Sequence, residues 1–585
     1  MATEEQEMSE PNEIRIRMLP AVIFAIIHVI ALAYALFFGD TLLQFMVGAI
    51  IVPLSVLIAL TFWWMLNTSI PVRQRYAMVV VGVLSLAWII ITHPLTSGGF
   101  PFLIVVLPII NIGSVLVLLA TAKQPWERRR KSLITLMSGA AILLTAIRVD
   151  GSRGDETPIM SFRWTATPEE KVAAELVAAA EKNEIAVLAS TISNSDWPSF
   201  RGVEMDSRVK DVTFAPWGEE GPNELWRQSI GLGWSSFTVV GDYFFTQEQR
   251  GESELVVCYE ANTGKQVWAN SQSVRFDEAH GAGPRATPTF HKGKLYVQGA
   301  MGALQCLDAS SGEVIWKREL TEDAEVKVPA WGFSSSPLIT NDKVISFAGG
   351  ANGKSVLAYS LDTGEPAWEA GDGTHSYSSV HLATIDNVPQ LLIPSNFGIQ
   401  SFAPDTGALL WEEQIAAFAD SARCVQPVML PEDDFLFTDE IGTRRFEIIH
   451  TDGAWIVKKA WENKKFRPSF NDTVVHNGFA YGFDGRAFVC VDIATGERQW
   501  KSGRYGGQVL LLPDMDNLLV LTDKGVVILI EATPEEHREI TRFKALDGKT
   551  WNHPVIANGK LFVRNSEEVA CFELAASEKS QPSPS

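Results

Sequence analysis

A tryptophan recurs at intervals of 39 to 52 residues through the last two thirds of the chain. Most copies follow a glycine turn by four residues, as in ANTGKQVW and DIATGERQW. The repeated tryptophans are Trp226, Trp268, Trp316, Trp368, Trp411, Trp461 and Trp500. A period of about 40 to 50 residues is typical of one supersecondary unit repeated, and four short strands at that spacing are a propeller blade. The repeat therefore constrains the architecture before any single residue is interpreted.

Each unit has the residue order of a four-stranded blade. Turn pairs such as Lys292-Gly293, Asn477-Gly478 and Asn558-Gly559 separate alternating apolar runs, which is the strongest short-range hairpin signal. The segment from Trp551 to Leu574 supplies three strands, and Glu224 to Ile230 supplies one more. Joining these two segments closes a ring of eight blades. We therefore predict an all-β eight-bladed propeller with four-stranded antiparallel blades.

Five apolar runs precede the repeats, and most are as long as the roughly 17 to 25 residues that a membrane-spanning helix needs. The runs are Leu19 to Phe38, Leu42 to Leu66, Ala77 to Thr92, Phe100 to Ala120 and Ser132 to Ile147. They predict an all-α transmembrane region of about five helices before the propeller.

The loop charges predict which way these spans run. Arg15 and Arg17 precede the first span, Arg73 and Arg75 follow the second, and the run from Lys123 to Lys131 follows the fourth. By the positive-inside rule the N-terminus is cytoplasmic, and five spans place the propeller outside. In a bacterium with two membranes, this arrangement is a multi-pass protein of the cytoplasmic membrane with a periplasmic propeller.

The predicted organisation has five parts. They are a cytoplasmic tail (1–18), the membrane region (19–147), a linker (148–194), the propeller (195–574) and a disordered tail (575–585). Thr167, Pro168 and Glu170 have the pattern of a helix start, so the linker is expected to contain a short helix to about Lys182.

Charge and cysteine placement narrow the partners and the covalent chemistry. The net charge of −20 argues against nucleic acid as a partner. The expected partners are the lipid bilayer and an envelope protein. Cys258, Cys306, Cys490 and Cys571 take equivalent places on the third strands of separate blades, so we expect buried thiols and no structural disulfide.

The motif AxDxxTGxxxW, the eight-fold count and the lead-in SDWPSFRG from Ser195 to Gly202 resemble the quinoprotein-like propeller superfamily. The resemblance covers about residues 195 to 574. Its members include dehydrogenases dependent on pyrroloquinoline quinone (PQQ) and cofactor-free, BamB-like proteins. The resemblance implies that each repeat tryptophan is structural, its indole packing between neighbouring blades.

Two observations favour an enzyme within this superfamily. The membrane-bound quinoprotein glucose dehydrogenases similarly place five spans before a propeller. Loops leading into first strands also contain candidate channel-mouth ligands: Trp234, Arg285, Trp331, Arg467 and His553. Trp331 is suited to stack on a planar quinone, and Arg285 and Arg467 are suited to bind its carboxylates.

Other features argue against catalysis. The chain has no adjacent Cys-Cys pair and no CxxCH motif for covalent haem. Asp277, Glu278, Asp372 and Asn396 have suitable oxygens for a divalent ion, but they stand in no ligand motif. We therefore assign no catalytic residue and predict no metal site and no cofactor.

Three functions follow from these observations. The first is a membrane-anchored, non-catalytic scaffold that binds an envelope protein or component. The alternative is a membrane-bound dehydrogenase that uses PQQ with Ca²⁺ to oxidise a sugar or alcohol and passes electrons to membrane quinone. A sensor is the third, although the cytoplasmic loops are too short for an output domain.

Overall fold

The computed structural model describes residues 14, 16–38, 42–92, 99–152, 158–167, 169–170, 186–187, 191–415, 423–468 and 470–576. The chain divides into two compact units, residues 1–167 and 168–585. Most of the predicted linker helix and the tail beyond residue 576 lie outside the described residues. The cytoplasmic tail predicted for residues 1–18 is described only at residues 14 and 16–18.

The first unit is built from long helices followed by one hairpin. Its helices are α1 (Leu19–Phe38), α2 (Leu42–Met46), a π-helical segment (Val47–Ile51), α3 (Val52–Leu66), α4 (Val72–Thr92), α5 (Gly99–Ala120) and α6 (Trp126–Leu144). Within the described residues, four segments are long and apolar enough to cross a membrane: Leu19–Phe37, Gln44–Leu66, Val72–Thr92 and Leu103–Ala120. The fifth predicted run, Ser132 to Ile147, is not among them. The apolar helical region predicted before the propeller is thus confirmed.

Two helices begin earlier than the apolar runs predicted. Helix α4 begins at Val72 rather than Ala77, and α6 begins at Trp126 rather than Ser132. The added residues include arginine and lysine, which are good helix formers, so the helix continues past the end of the apolar run. The hairpin of β1 (Ile147–Ser152) and β2 (Pro158–Phe162) was not predicted.

The second unit contains eight four-stranded antiparallel sheets, which confirms the predicted propeller. Blade 1 consists of β4 (Thr238–Val240), β5 (Tyr243–Arg250), β6 (Ser253–Glu260) and β7 (Gln266–Gln272), and blade 2 of β8 (Thr289–His291), β9 (Lys294–Gln298), β10 (Ala303–Asp308) and β11 (Val314–Glu319). Blade 3 consists of β12 (Leu338–Thr340), β13 (Lys343–Phe347), β14 (Val356–Ser360) and β15 (Pro366–Ala370), and blade 4 of β16 (His381–Ile385), β17 (Val388–Ser395), β18 (Gly398–Phe402) and β19 (Leu409–Gln414). A short helix α7 (Leu320–Asp323) follows β11.

The other blades follow the same order. Blade 5 consists of β20 (Val428–Met429), β21 (Phe435–Thr438), β22 (Thr443–Thr451) and β23 (Ala454–Asn463). Blade 6 consists of β24 (Val474–His476), β25 (Phe479–Asp484), β26 (Ala487–Asp492) and β27 (Arg498–Ser502), and blade 7 of β28 (Gly507–Leu512), β29 (Asn517–Thr522), β30 (Val526–Glu531) and β31 (Glu539–Lys544). Blade 8 joins β32 (Val555–Ala557), β33 (Lys560–Arg564) and β34 (Glu568–Glu573) to β3 (Asn223–Ser229). Trp226 of β3 lies opposite Cys571 of β34, so the N-terminal strand completes the last blade.

The repeat tryptophan links most blades to the next. The indole N–H of Trp268 donates to the carbonyl oxygen of Ala309 at 3.1 Å, and the indole N–H of Trp226 donates to that of Ala261 at 3.0 Å. The same bond to the following blade is made by Trp316, Trp368, Trp461 and Trp500. Trp411 instead donates to the side chain of Gln390 in its own blade.

The turn glycine is required for two reasons. Gly312 has a φ of +74°, a backbone conformation that residues with a Cβ rarely adopt. A Cβ at this position would also lie 2.4 Å from the Trp268 ring. The glycine therefore forms the turn and leaves space for the indole of the preceding blade.

All five cysteines are unpaired. Cys258, Cys306, Cys490 and Cys571 are buried on the third strands of four blades. Burial raises the pKa of the Cys306 thiol to about 11, so it stays protonated at neutral pH. These side chains act as small core residues.

Candidate functional site

The two faces of the propeller differ in what they present. Loops that join the fourth strand of one blade to the first strand of the next lie on one face, which we call the loop face. The Thr-Gly and Asn-Gly turns lie on the opposite face, which we call the turn face. First strands are innermost in each blade, so the loops that lead into them surround the mouth of the central channel.

Residues 196–209, which we call the plug, run along the innermost strands from the turn face. Trp197 exchanges two backbone hydrogen bonds with Val239 of β4, at 2.8 and 2.9 Å. The carbonyl of Pro198 accepts from the amide of Phe290 in β8 at 2.8 Å. Val209 returns along β28 by donating to the carbonyl of Leu511 at 2.9 Å. The plug is thus hydrogen-bonded to the first strands of blades 1, 2 and 7.

Arg201 occupies the tip of the plug inside the channel. It is only 2% exposed, and its φ of +64° marks the sharp turn at which the segment reverses. Its Nε lies 3.1 Å from a carboxylate oxygen of Asp472 and donates to the Ser207 hydroxyl at 2.9 Å. Its Nη1 donates to the side-chain oxygen of Gln426 at 3.2 Å. The chain therefore fills its own channel with a paired guanidinium.

Asp472 is the centre of this buried charge cluster. His553 Nε2 lies 3.1 Å from the same carboxylate oxygen that Arg201 contacts. Burial alone would raise the pKa of Asp472, but Arg201 and His553 hold it below the usual value. Burial, with Arg201 nearby, lowers the pKa of His381 to about 3, so that imidazole is neutral at physiological pH. Arg201 thus stabilises the Asp472 carboxylate in its charged form.

Aromatic residues from several blades meet at the mouth on the loop face. The Trp234 and Trp551 rings lie 5.1 Å apart, and the Trp331 ring stacks on Tyr377 at 4.9 Å. His280 lies between these pairs, with its ring 5.6 Å from Trp331 and 6.4 Å from Trp551. These side chains therefore form one continuous cluster around the mouth.

Two further groups complete this aromatic cluster. The Phe470 ring lies 5.9 Å from Trp331 and is 59% exposed. The ammonium of Lys549 lies 4.9 Å from the Trp234 ring centre and 4.2 Å from that of Trp551, and it donates to the carbonyl of His280. The aromatic cluster thus combines half-buried rings with the exposed ring of Phe470.

The structure unites four of the five residues predicted at the mouth. Trp234 and Trp331 belong to the aromatic cluster, and His553 lies beneath it against Phe200 at 4.9 Å. Arg285 is joined to the cluster through Glu278, which it contacts at 2.8 Å and which also accepts from His280.

Arg467 forms an ion pair with Asp484 at 2.8 Å. Asp484 also binds Lys501 of β27 at 2.7 Å, on the outer strand of blade 6. Seventeen residues separate Arg467 from Asp484, and strand pairing within the blade brings them together. Asp484 therefore binds Arg467 within blade 6.

The residues present do not fit PQQ with a divalent ion. Arg285 and Arg467, the two candidates for quinone carboxylates, are already bound to carboxylates of their own. Glu278 is bound to Arg285, and the Asn396 side-chain oxygen accepts two backbone N–H groups. In the part of the chain that the structure describes, no group of three or more potential metal-binding side chains occurs. Arg201 also fills the channel below the mouth.

Sequence reasoning missed Arg201, Asp472 and Lys549. The lead-in SDWPSFRG was recognised as a family feature, but nothing in its spacing indicated a segment inside the channel. Asp472 lies two residues before the first strand of blade 6, as Thr287 and Ser379 do in other blades. A carboxylate at a place where other blades have hydroxyl residues was the signal that could have identified it.

Glu254 gives the site a pH-dependent contribution to stability. It begins β6 on the loop face, and its carboxylate accepts from the amide of Ala300 at 3.0 Å. Burial raises its pKa to about 7, although the Ala300 amide and Arg285 oppose the rise. Because the folded pKa exceeds the ordinary 4.5, the contribution is complete below pH 4.5 and is lost as pH rises through 7.

Glu254→Gln is expected to remove this pH dependence. Between pH 4.5 and pH 8 the free energy of unfolding of the wild type should fall by about 3 kcal/mol relative to the variant, at 1.36 kcal/mol per pKa unit. Urea unfolding of both proteins at the two pH values measures this difference. Equal pH dependence in the two proteins would show that Glu254 titrates normally.

Comparison with known proteins gives a consistent result. Residues 252–433 match the family model described as outer membrane protein assembly factor BamB. The outer membrane protein assembly factor BamB of Shewanella oneidensis is 26% identical over 378 residues, covering 59% of this chain and 86% of that protein. The resemblance to BamB-like propellers predicted from the sequence is thus confirmed.

Two other relatives show how the similarity is distributed. A polyvinylalcohol dehydrogenase from Pseudomonas sp is 27% identical over 158 residues, and the match spans 20% of this chain but only 24% of that protein. The crystal structure of BamB from Moraxella catarrhalis aligns with a TM-score of 0.45 and 16% identity, covering 60% of this chain and 99% of that one.

Proposed function

We propose that this protein is a membrane-anchored, non-catalytic scaffold whose loop face binds an envelope protein in the periplasm. The observation that carries the proposal is the filled channel. Arg201 and Asp472 take the space below the mouth, and the aromatic cluster covers it. The mouth therefore presents a surface rather than a cofactor cavity, and half-exposed aromatic residues are typical of protein interfaces.

The relatives support the same class of function. The Shewanella protein, which is similar along most of its own length, is named as an assembly factor for outer membrane proteins. From the Shewanella protein we infer for this chain only the general role of binding another envelope protein.

A crosslinking experiment with a cofactor titration tests this proposal. A benzoylphenylalanine at Phe470 on the loop face should crosslink to one envelope protein, and the same group at Lys292 on the turn face should not. The purified full chain should show no change in quinone absorbance when titrated with PQQ and Ca²⁺. Stoichiometric PQQ binding with sugar- or alcohol-dependent dye reduction would instead establish the dehydrogenase.

The periplasmic location is supported by contacts at the two ends of the helical unit. At one end, the indole of Trp63 donates to the carbonyl of Arg17, and that of Trp64 donates to Arg75. Arg129 at the start of α6 donates to the carbonyl of Leu118 near the end of α5. This end collects the loops rich in arginine and lysine, which are typical of the cytoplasmic side.

Helix α6 runs from this basic end to the opposite one. Arg163 donates both to the carbonyl of Thr92 at the end of α4 and to that of Thr145 just after α6, at 2.7 and 2.6 Å. Helices α4 and α6 therefore finish at the same level. At 1.5 Å per residue, the 19 residues of α6 extend about 28 Å, close to the roughly 30 Å of a bilayer core. We propose that α6 makes a fifth crossing, which puts the chain after it outside the cytoplasm.

Cysteine labelling tests this orientation. Ala166→Cys, on exposed chain after the hairpin, should react with a membrane-impermeant maleimide in intact spheroplasts. Ala122→Cys, on exposed chain after α5, should react only after the membrane is opened. The wild type is the control, because four of its five thiols are buried. The reverse labelling pattern would place the propeller in the cytoplasm.

A further inference from the structure

A cavity on the loop face lies beside the aromatic cluster, and none of its residues takes part in the channel contacts. It is formed between the loops of blades 3 and 4 and has a volume of about 250 Å³. Its lining includes Lys327, Phe333, Ser335, Phe347, Thr374 and His375. We call it the Ser335 pocket.

The size of the Ser335 pocket limits its occupant. Sites for cofactors and drug-sized ligands have volumes of about 300 to 1,000 Å³. A cavity of about 250 Å³ is below that range and matches a single large amino-acid side chain. Protein partners commonly bind through one such anchor residue in a pocket, surrounded by weaker contacts.

Apolar and polar residues both line the pocket, and one of the polar groups is a buried hydroxyl. Phe333, Phe347 and Ala348 are at most 5% exposed and supply an apolar lining. Ser335 is 2% exposed, and its hydroxyl finds no hydrogen-bond partner among the residues described. A buried hydroxyl left unpaired costs about 1–3 kcal/mol, so a side chain that brings a hydroxyl of its own is favoured. Among aromatic side chains, that is tyrosine.

Among the described residues that line the pocket, Lys327 carries a positive charge and none carries a carboxylate. Lys327 is exposed at the rim, and no salt bridge is found for it within the described ranges. Glu325, two residues earlier, is already paired with Lys354 at 2.6 Å. A cationic rim on a chain of net charge −20 selects for a carboxylate next to the anchoring side chain.

The Ser335 pocket is continuous with the aromatic cluster. The His375 ring, in the lining, packs edge-on against Tyr377 at 5.0 Å, and Tyr377 stacks on Trp331. The loop that lines the pocket from Val326 to Ser335 also contains Trp331. A partner seated in the pocket would therefore also contact the half-exposed aromatic residues of the mouth.

We infer that the Ser335 pocket receives a tyrosine flanked by an aspartate or glutamate in an acidic segment of the partner protein. The inference rests on the proposed function, since it names the anchor through which the loop face holds its partner. The tyrosine ring packs against the apolar residues of the pocket, and its hydroxyl forms a hydrogen bond with that of Ser335. The adjoining carboxylate forms an ion pair with Lys327.

Saturation-transfer NMR on the full chain in detergent tests the inference with three blocked dipeptides. The probes are acetyl-Asp-Tyr-amide, acetyl-Asp-Phe-amide and acetyl-Lys-Tyr-amide. The Asp-Tyr probe should bind about tenfold more tightly than Asp-Phe and about fivefold more tightly than Lys-Tyr. Ser335→Ala should abolish the preference for tyrosine over phenylalanine while Asp-Phe still binds, a result that a misfolded protein would not give.

Lys327→Glu should reverse the preference between the Asp-Tyr and Lys-Tyr probes. Lys292→Glu makes the same charge change on the turn face and should leave both affinities unaltered. Equal binding of the tyrosine and phenylalanine probes, an unchanged preference in Lys327→Glu, or no binding of any probe would overturn the inference. Crosslinking from Phe470 is measured separately, so a failed pocket with a retained crosslink would leave the proposed function standing.

Discussion

Arg201→Ala is expected to lower the free energy of unfolding by about 3–5 kcal/mol, the usual cost of removing one partner of a buried ion pair. The variant leaves Asp472 as a buried carboxylate with His553 alone beside it. It also removes hydrogen bonds to Ser207 and Gln426 that hold the plug to itself and to the loop before blade 5. Urea unfolding of the full chain in detergent, followed by near-ultraviolet circular dichroism, measures the loss.

The control is an arginine whose ion pairs are exposed. Arg538→Ala removes contacts to Glu531 and Glu536 on the outside of blade 7, and exposed pairs contribute about 0–1 kcal/mol. A similar loss in both variants would mean that the Arg201 pair contributes no more than a surface contact. A double replacement, Arg201→Met with Asp472→Leu, should regain most of the stability, because the uncompensated charge is then absent.

Trp268→Ala is expected to destabilise the propeller by about 3–5 kcal/mol, the range for removing a large buried aromatic side chain. The indole is fully buried between blades 1 and 2, packs against Phe245 and donates to the carbonyl of Ala309. Its removal leaves a cavity under the Gly312 turn, which fits closely around the ring. The same urea titration measures this effect.

Two matched variants separate packing from hydrogen bonding. Trp268→Phe retains an aromatic ring but leaves the Ala309 carbonyl without its donor, so a smaller loss of about 1–3 kcal/mol is expected. Trp368→Ala removes a repeat tryptophan that is only half-buried and should cost less than Trp268→Ala. Equal losses at Trp268 and Trp368 would contradict the argument from burial.

The sequence predicted the blades well because their determinants are local. A Thr-Gly turn, a tryptophan four residues later and Asn-Gly hairpins specify one blade within about 45 residues, and repetition specifies the ring. Phe543, at the tryptophan position of blade 7, shows that the repeat tolerates substitution. Its ring packs against Trp217 at 5.5 Å and fills the site without an indole N–H.

The candidate site was predicted only in part because it depends on contacts between loops. The position of Trp234 and Trp331 before first strands predicts them at the mouth, and both belong to the aromatic cluster there. Arg467 occupies the same kind of position, yet Asp484 of its own blade binds it. Nothing in a single blade indicates which side chain a neighbouring loop will contact, so the pairing of Arg201 with Asp472, 271 residues away, could not be predicted.

Closure of the ring by β3 and β34 makes completion of synthesis a condition of stability. Asn223 and Glu573 are hydrogen-bonded across 350 residues, so the first propeller strand to be made has no partner until the last strand of the ring emerges. An interrupted product would retain an open edge on blade 8 and an uncovered Trp226, features that invite aggregation and proteolysis. Folding and quality control of this protein are therefore coupled: only a chain that is complete through Glu573 can close the ring and protect itself against degradation.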